Sequence, residues 1–128
     1  LFIKAVAAPM KLQGAGRIIN IASVAGMAPV GSSIAYGVSK AGLIQLTKGM
    51  AVALAPDNIL VNCVSPGYLE GTRMSDNLAE EYKDQARNGA VLKKAADKDD
   101  IAEQVVTFCK TDTTTGQTLV IDGGRLFH

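Results

Sequence analysis

Arg17-Ile18-Ile19-Asn20-Ile21-Ala22 decides the fold. Its β-branched isoleucines follow one another with hardly a polar break, the pattern of a strand buried on both faces, as in a parallel sheet. Asn58-Ile59-Leu60-Val61-Asn62-Cys63-Val64 repeats the pattern, and Ser65-Pro66-Gly67 ends it. A shorter stretch, Gln117 to Asp122, reads as a last strand closed by Gly123-Gly124.

Helical patterns surround these strands. Ile3, Val6, Ala7 and Met10 share one face, so Leu1 to about Leu12 reads as an amphipathic helix stopped by Gly14 and Gly16. Ser23 to Ser33 is a loop, and Ser32 or Ser33 can cap the next helix. That helix runs from about Ile34 to Ala55 and stops at Pro56. Tyr36, Val38, Leu43, Ile44, Leu46, Met50, Val52 and Leu54 cover most of its circumference. Such a helix is expected to bury more than one side, against the sheet and against a partner subunit. Tyr68 to about Asn88 is polar and reads as a loop plus a mobile helix near residues 75–87. Asp97 is the expected N-cap of a further helix, with Asp100 in the capping-box position and Ile101, Val105 and Phe108 on its inner face.

Strands alternating with helices imply right-handed βαβ units in a parallel sheet. Three strands make a small sheet, and an apolar edge left unpaired is an aggregation hazard unless something pairs with it. The 128 residues suit one domain. Thirteen basic against 12 acidic residues leave a formal charge of +1, which offers no basic field for nucleic acid. A hydrophobic fraction of 48% excludes a disordered chain. Two cysteines, Cys63 and Cys109, are too few for a disulfide framework and point to a reduced, cytoplasmic protein. The uncharged run from Ile18 to Ser39 is long enough to cross a bilayer. Asn20, Pro29 and its glycines and hydroxyls make it a strand, a loop and a helix start instead.

Three features could carry chemistry. Tyr36 and Lys40 stand four apart at a helix start and share a face. An ammonium beside a phenol favours the phenolate, and such a phenol can exchange a proton with a carbinol or carbonyl oxygen. Taken alone, such a pair is more often a packed ring beside a solvated charge. Ser23 lies at the C-terminal end of the first strand, the edge where ligands bind in open α/β sheets. By itself it reads as an ordinary loop serine. Pro66-Gly67 ends the second strand at the same edge, where a turn lets backbone approach a flat ligand. His128 has no second ligand with which to make a metal site, and the acids read as solvated faces and caps.

Together these features resemble the short-chain dehydrogenase/reductase family, over nearly the whole chain. Gly16 to Gly26 is similar to the family's fifth strand and catalytic serine. Tyr36-Gly37-Val38-Ser39-Lys40 is similar to its Tyr-x-x-x-Lys helix. Asn62 to Gly67 resembles the Asn-x-x-x-Pro-Gly segment after the sixth strand, and Thr115-Gly116-Gln117 with Val120 to Gly124 resembles the last strand. The resemblance implies a Rossmann-like, doubly wound α/β parallel sheet, of which this chain is the C-terminal portion: strands five to seven and their helices. It implies Tyr36 as general acid/base, Lys40 on the nicotinamide ribose and Ser23 on the substrate oxygen. Pro66, Gly67 and Leu69 would meet the nicotinamide end of NAD or NADP, and hydride would pass between that cofactor and an alcohol/ketone substrate. Such proteins form homodimers or homotetramers through the Tyr-Lys helix and the last strand.

The chain departs from the family in two places. The family's threonine usually stands four residues after the glycine of Pro-Gly; Gly71 occupies that place, and Thr72 follows it. The glycine-rich turn of the family's first half has no counterpart, since Gly14-Ala15-Gly16 precedes a strand instead of following one. The expectation is therefore the catalytic half of the enzyme, which alone would bind NAD(P) very weakly and not turn over. A rival is a non-catalytic truncated fragment that acts or folds only through association. An epimerase or dehydratase relative ranks lower, because those carry a long C-terminal substrate domain.

Overall fold

In the computed structural model, β1 (Gly16–Ile21) and β2 (Ile59–Pro66) run parallel, with Ile18 opposite Val61 and Ile21 opposite Val64. β3 (Thr118–Ile121) pairs parallel to the other side of β2, with Val64 opposite Leu119 and Pro66 opposite Ile121. The order β1-β2-β3 leaves a free edge on both β1 and β3. The structure describes residues 1–30 and 33–127. The proposed cap at Ser32 and the terminal His128 lie outside them.

All eight residues of β2 are buried, as a central strand covered on both faces requires. Ile18, Ile59 and Val61 meet Ala51 and Leu54 of α2 (Ile34–Leu54). Ile3, Val6, Ala7 and Met10 of α1 (Phe2–Gln13) close over the same cluster, the face the sequence assigns to them. Gly14 ends α1 in a left-handed conformation, φ 71°. Successive strand residues point to opposite faces. Asn20 reaches α2 by donating from Nδ2 to Thr47 Oγ1 at 2.9 Å. Arg17, of opposite parity, donates from Nε to the Thr111 carbonyl at 2.8 Å, just beyond α5 (Lys98–Lys110). So α1 and α2 cover one face and α5 the other. Phe108 of α5 is buried, whereas Cys109 is exposed on its outer side.

The second strand runs two residues beyond its expected end, through Pro66. Proline is tolerated there because it closes the strand, and the Gly67 N–H continues the ladder to the Ile121 carbonyl at 2.8 Å. The single polar helix expected over residues 75–87 is two: α3 (Arg73–Asp76) and α4 (Glu80–Asn88). Thr72 and Ser75 form a capping box that starts α3, and Ala79 takes an extended conformation ahead of α4. Asp97 caps α5 as expected, accepting from the Asp99 and Asp100 amides.

Within this single chain α2 buries one side. Thr47, Ala51 and Leu54 are buried, but Ile34, Val38 and Val52 are 88%, 67% and 78% exposed. No helix among the described residues is long and apolar enough to cross a membrane.

Candidate active site at the sheet edge

The C-terminal ends of β1 and β2 open into a cavity of about 370 Å³. Ser23, Tyr36, Lys40, Pro66, Gly67, Leu69 and Thr72 all line it. Residues nominated from three separate stretches of sequence are thus brought to one place.

Local structure fixes the first group. Ser23 leaves β1 and caps a short 3-10 turn, Val24–Gly26, its Oγ accepting from the Ala25 N–H at 3.2 Å. A serine that only accepts still holds a proton to donate. That turn packs directly against α2. A Cβ built at Gly26 would lie 2.6 Å from both the Ala41 nitrogen and the Lys40 carbonyl carbon. Only glycine lets the two backbones approach so closely, and the approach sets Ser23 beside Tyr36 and Lys40.

Ser33 caps α2 and accepts from the Tyr36 N–H at 3.3 Å, placing Tyr36 in the first turn. Lys40 Nζ donates to the Ile21 carbonyl at 3.0 Å and lies 5.5 Å from the centre of the Tyr36 ring. The ammonium is therefore anchored to the end of β1 with donors to spare.

Pro66 and Gly67 carry the end of β2 past the cavity. A Cβ at Gly67 would lie 2.6 Å from Asp122 Cβ and 2.8 Å from its Cα. The close approach that this glycine permits is to the end of β3, where Pro-Gly alone suggests an approach to a flat ligand. Asp122 is itself buried, accepting from the amides of Gly124, Arg125 and Leu126 at 2.9, 3.0 and 2.8 Å. Asn62 has a matching task. Its Nδ2 donates to the Thr114 carbonyl at 2.7 Å and its Oδ1 accepts from the Gln117 N–H at 3.1 Å, fixing the turn into β3.

The opposite wall comes from residues 68–82. Thr72 lines the cavity, but its hydroxyl is engaged with Ser75: Oγ1 accepts from the Ser75 N–H at 3.2 Å and donates to Ser75 Oγ at 3.1 Å. Tyr68, Met74, Leu78 and Tyr82 complete this wall, and Arg125 reaches it from beyond β3. These five were not nominated from sequence. The Tyr68 hydroxyl is buried without a hydrogen-bond partner. Burial first, and then the nearby Glu70 carboxylate, push its phenol above the usual tyrosine range. Outside the wall, Arg87 pairs with Glu70 and with Asp84, and Lys83 with Glu80 at 2.7 Å. These contacts raise the affinity of Arg87 and Lys83 for their protons. In the core behind the site, burial pushes the Cys63 thiol above its ordinary 9.0.

A larger groove of about 780 Å³ follows the free edge of β3, between residues 92–97 and the segment 122–127. None of the nominated residues lines it. Of its acids, Asp97 and Asp122 cap backbone amides and Asp100 stands in the first turn of α5; the smaller cavity is the one that gathers Ser23, Tyr36 and Lys40. Among the described residues, no three His, Cys, Asp or Glu side chains gather where they could hold a metal.

Comparison with known proteins gives the chain its family. The family model described as enoyl-(acyl carrier protein) reductase matches residues 1–125. Mouse dehydrogenase/reductase SDR family member 4 is 38% identical over 128 residues, an alignment covering 97% of this chain and 46% of that protein. A structure named ribose-5-phosphate isomerase from Brucella melitensis is 39% identical with a TM-score of 0.84, covering 98% of this chain and 50% of that one. The Pseudomonas aeruginosa RhlG/NADP active-site complex is 32% identical with a TM-score of 0.76, covering 85% and 44%. The chain spans about half the length of the relatives it matches. Their names differ in substrate and even in reaction class, so no single substrate transfers. The match over nearly the whole chain, on a parallel sheet that carries Ser23, Tyr36 and Lys40 at its C-terminal edge, places this chain in the short-chain dehydrogenase/reductase family.

Proposed function

We propose that this chain supplies the catalytic side of an NAD(P)-dependent oxidoreductase acting on an alcohol/ketone pair. The observation that carries this reading is the meeting of Ser23, Tyr36 and Lys40 at one cavity beside Pro66 and Gly67.

The residues fit the nicotinamide end of such a cofactor. Lys40 Nζ uses one donor on Ile21 and keeps others for a ribose hydroxyl. Pro66, Gly67 and Leu69 put backbone along the same cavity. When bound, the nicotinamide supplies or accepts the hydride. Ser23 donates its free proton in a hydrogen bond to the substrate carbonyl oxygen and holds it. Tyr36 delivers a proton to that oxygen during reduction and removes one during oxidation. The Lys40 ammonium, anchored to β1, stabilises the phenolate left behind. Thr72 acts on the cofactor through its position in the wall, since its hydroxyl is held by Ser75. The choice between NAD and NADP lies outside these residues.

The relatives' names support reduction and oxidation as the reaction class: one is a dehydrogenase/reductase and one an NADP complex. The two free cysteines suit a reducing, cytoplasmic setting. The exposed apolar side of α2 supports a homodimer or homotetramer. That side also favours the second reading, a fragment that works only through association.

The test follows deuterium from the reduced nicotinamide to a panel of ketones, using the polypeptide that carries this chain. Label appearing on the carbinol carbon supports the oxidoreductase. Sedimentation to a defined oligomer with no transfer to any ketone supports the associating fragment and contradicts catalysis.

A further inference from the structure

Arg125 is the unexplained cation of the cavity. It lines the cavity that holds Ser23 and Tyr36. Its guanidinium makes no hydrogen bond or ion pair with any described residue, its one bond being the backbone N–H to Asp122. Asp122 accepts from the amides of residues 124–126 and makes no bond to the guanidinium. No Asp or Glu lines the cavity. Of the acids on that side, Glu70, Glu80 and Asp84 pair with Arg87 and Lys83, and the charge of Asp76 acts on Lys83.

Three amide bonds to Asp122 fix the turn that carries the guanidinium. Its Nε lies 3.5 Å from where a Cβ of Gly89, at the end of α4, would stand, an ordinary packing distance. A half-buried guanidinium that lines the cavity without a partner lacks a hydrogen-bond acceptor that carries charge. The neighbouring Met74 and Leu78 supply none.

We propose that the substrate of this site is a carbonyl compound bearing an anionic oxygen group, a carboxylate or a phosphate, which Arg125 binds. The proposal rests on the oxidoreductase reading of the same cavity and adds the substrate class. Arginine matches both groups because its planar fork donates two parallel hydrogen bonds to a pair of oxygens. The cavity, about 370 Å³, suits a small molecule that carries both groups.

The test uses two matched pairs of probes without cofactor. Acetoacetate is compared with methyl acetoacetate, and dihydroxyacetone phosphate with dihydroxyacetone. Binding is read from the backbone amide resonances of Ser23, Tyr36 and Arg125. The charged member of one pair should bind about tenfold tighter than its neutral partner, and the pair that shows the preference names carboxylate or phosphate. Arg125→Gln should abolish the preference while leaving the neutral probe unchanged, and Arg125→Lys should keep part of it. Equal binding of charged and neutral probes at Ser23, or a preference that survives Arg125→Gln, overturns this proposal alone. Failure of all four probes to perturb Ser23 and Tyr36 contradicts both this proposal and the oxidoreductase reading.

Discussion

The two walls of the cavity are held by different kinds of force. On one wall, Ser23, Tyr36 and Lys40 sit on a strand end, a tight turn and a helix start. Backbone contact at Gly26 and the Lys40 bond to Ile21 lock them together. On the other, residues 68–88 have one backbone tie, the Ala96 N–H to the Tyr68 carbonyl at 2.8 Å, and beyond it are held by side chains: the Thr72–Ser75 box and the exposed pairs that Arg87 and Lys83 make. Close-packed backbone has few alternative arrangements, whereas exposed ion pairs are weak and screened by salt. Chemistry that needs a fixed geometry is thus placed on the first wall, and the second can change with the substrate.

The largest expected effect of breaking this contrast is on the first wall. Tyr36→Phe keeps the ring and removes the proton, so turnover should fall by about 10²- to 10⁴-fold with the melting temperature unchanged. A decrease of only a few fold would move the acid/base role elsewhere.

Next comes the packing of the same wall. Gly26→Val drives a side chain into the α2 backbone and should cost about 1–3 kcal/mol of stability in denaturant unfolding. Gly49 lies farther along the same helix with nothing within 4 Å of its Cβ position. Gly49→Ala should therefore stabilise by about 0.5–1 kcal/mol. Equal effects of the two would show that the Gly26 contact is not tight.

The core behind the wall yields a smaller, pH-dependent effect. Burial raises the Cys63 thiol above 9.0 in the folded protein. The folded state then holds this proton in a range where the unfolded state releases it. The contribution is complete below pH 9.0 and is lost as pH rises through the folded value. Thermal melts should show stability declining in alkali, with a shallower slope for Cys63→Ala; an unchanged slope would remove Cys63 as its source.

The smallest effect on global stability belongs to the second wall. Arg87→Ala should leave the melting temperature nearly unchanged, because its pairs are exposed. Amide hydrogen exchange over residues 70–88 should speed up while that of β2 stays slow. Equal acceleration in β2 would show that the two walls are not independent.

The first wall was legible in the sequence, and of the second only Leu69 and Thr72 were, for physical reasons. β1, β2 and α2 announce themselves because runs of isoleucine and valine and helical apolar spacing are local signals. Ser23, Tyr36 and Lys40 stand at fixed distances from those elements. α3 ends with its C-cap at Asn77 and Ala79 turns extended ahead of α4, a break that helical spacing does not announce. Tyr68 and Arg125 join the cavity only because β2 and β3 end side by side, a long-range pairing invisible to periodicity. One signal was available for Arg125: it directly follows Asp122-Gly123-Gly124 at the C-terminal edge of a parallel strand, where ligands bind. The reason for Gly67 was equally hidden, since Asp122 lies 55 residues away in the chain.

The central claim is that Ser23 and Tyr36 grip one carbonyl oxygen, and it can be read without turnover. A small ketone labelled with carbon-13 at its carbonyl is titrated into the protein and followed by NMR. Hydrogen bonds from both residues should move the carbonyl resonance downfield, with Ser23→Ala and Tyr36→Phe each removing part of the shift and the double variant removing all of it. A shift that survives the double variant would contradict the assignment.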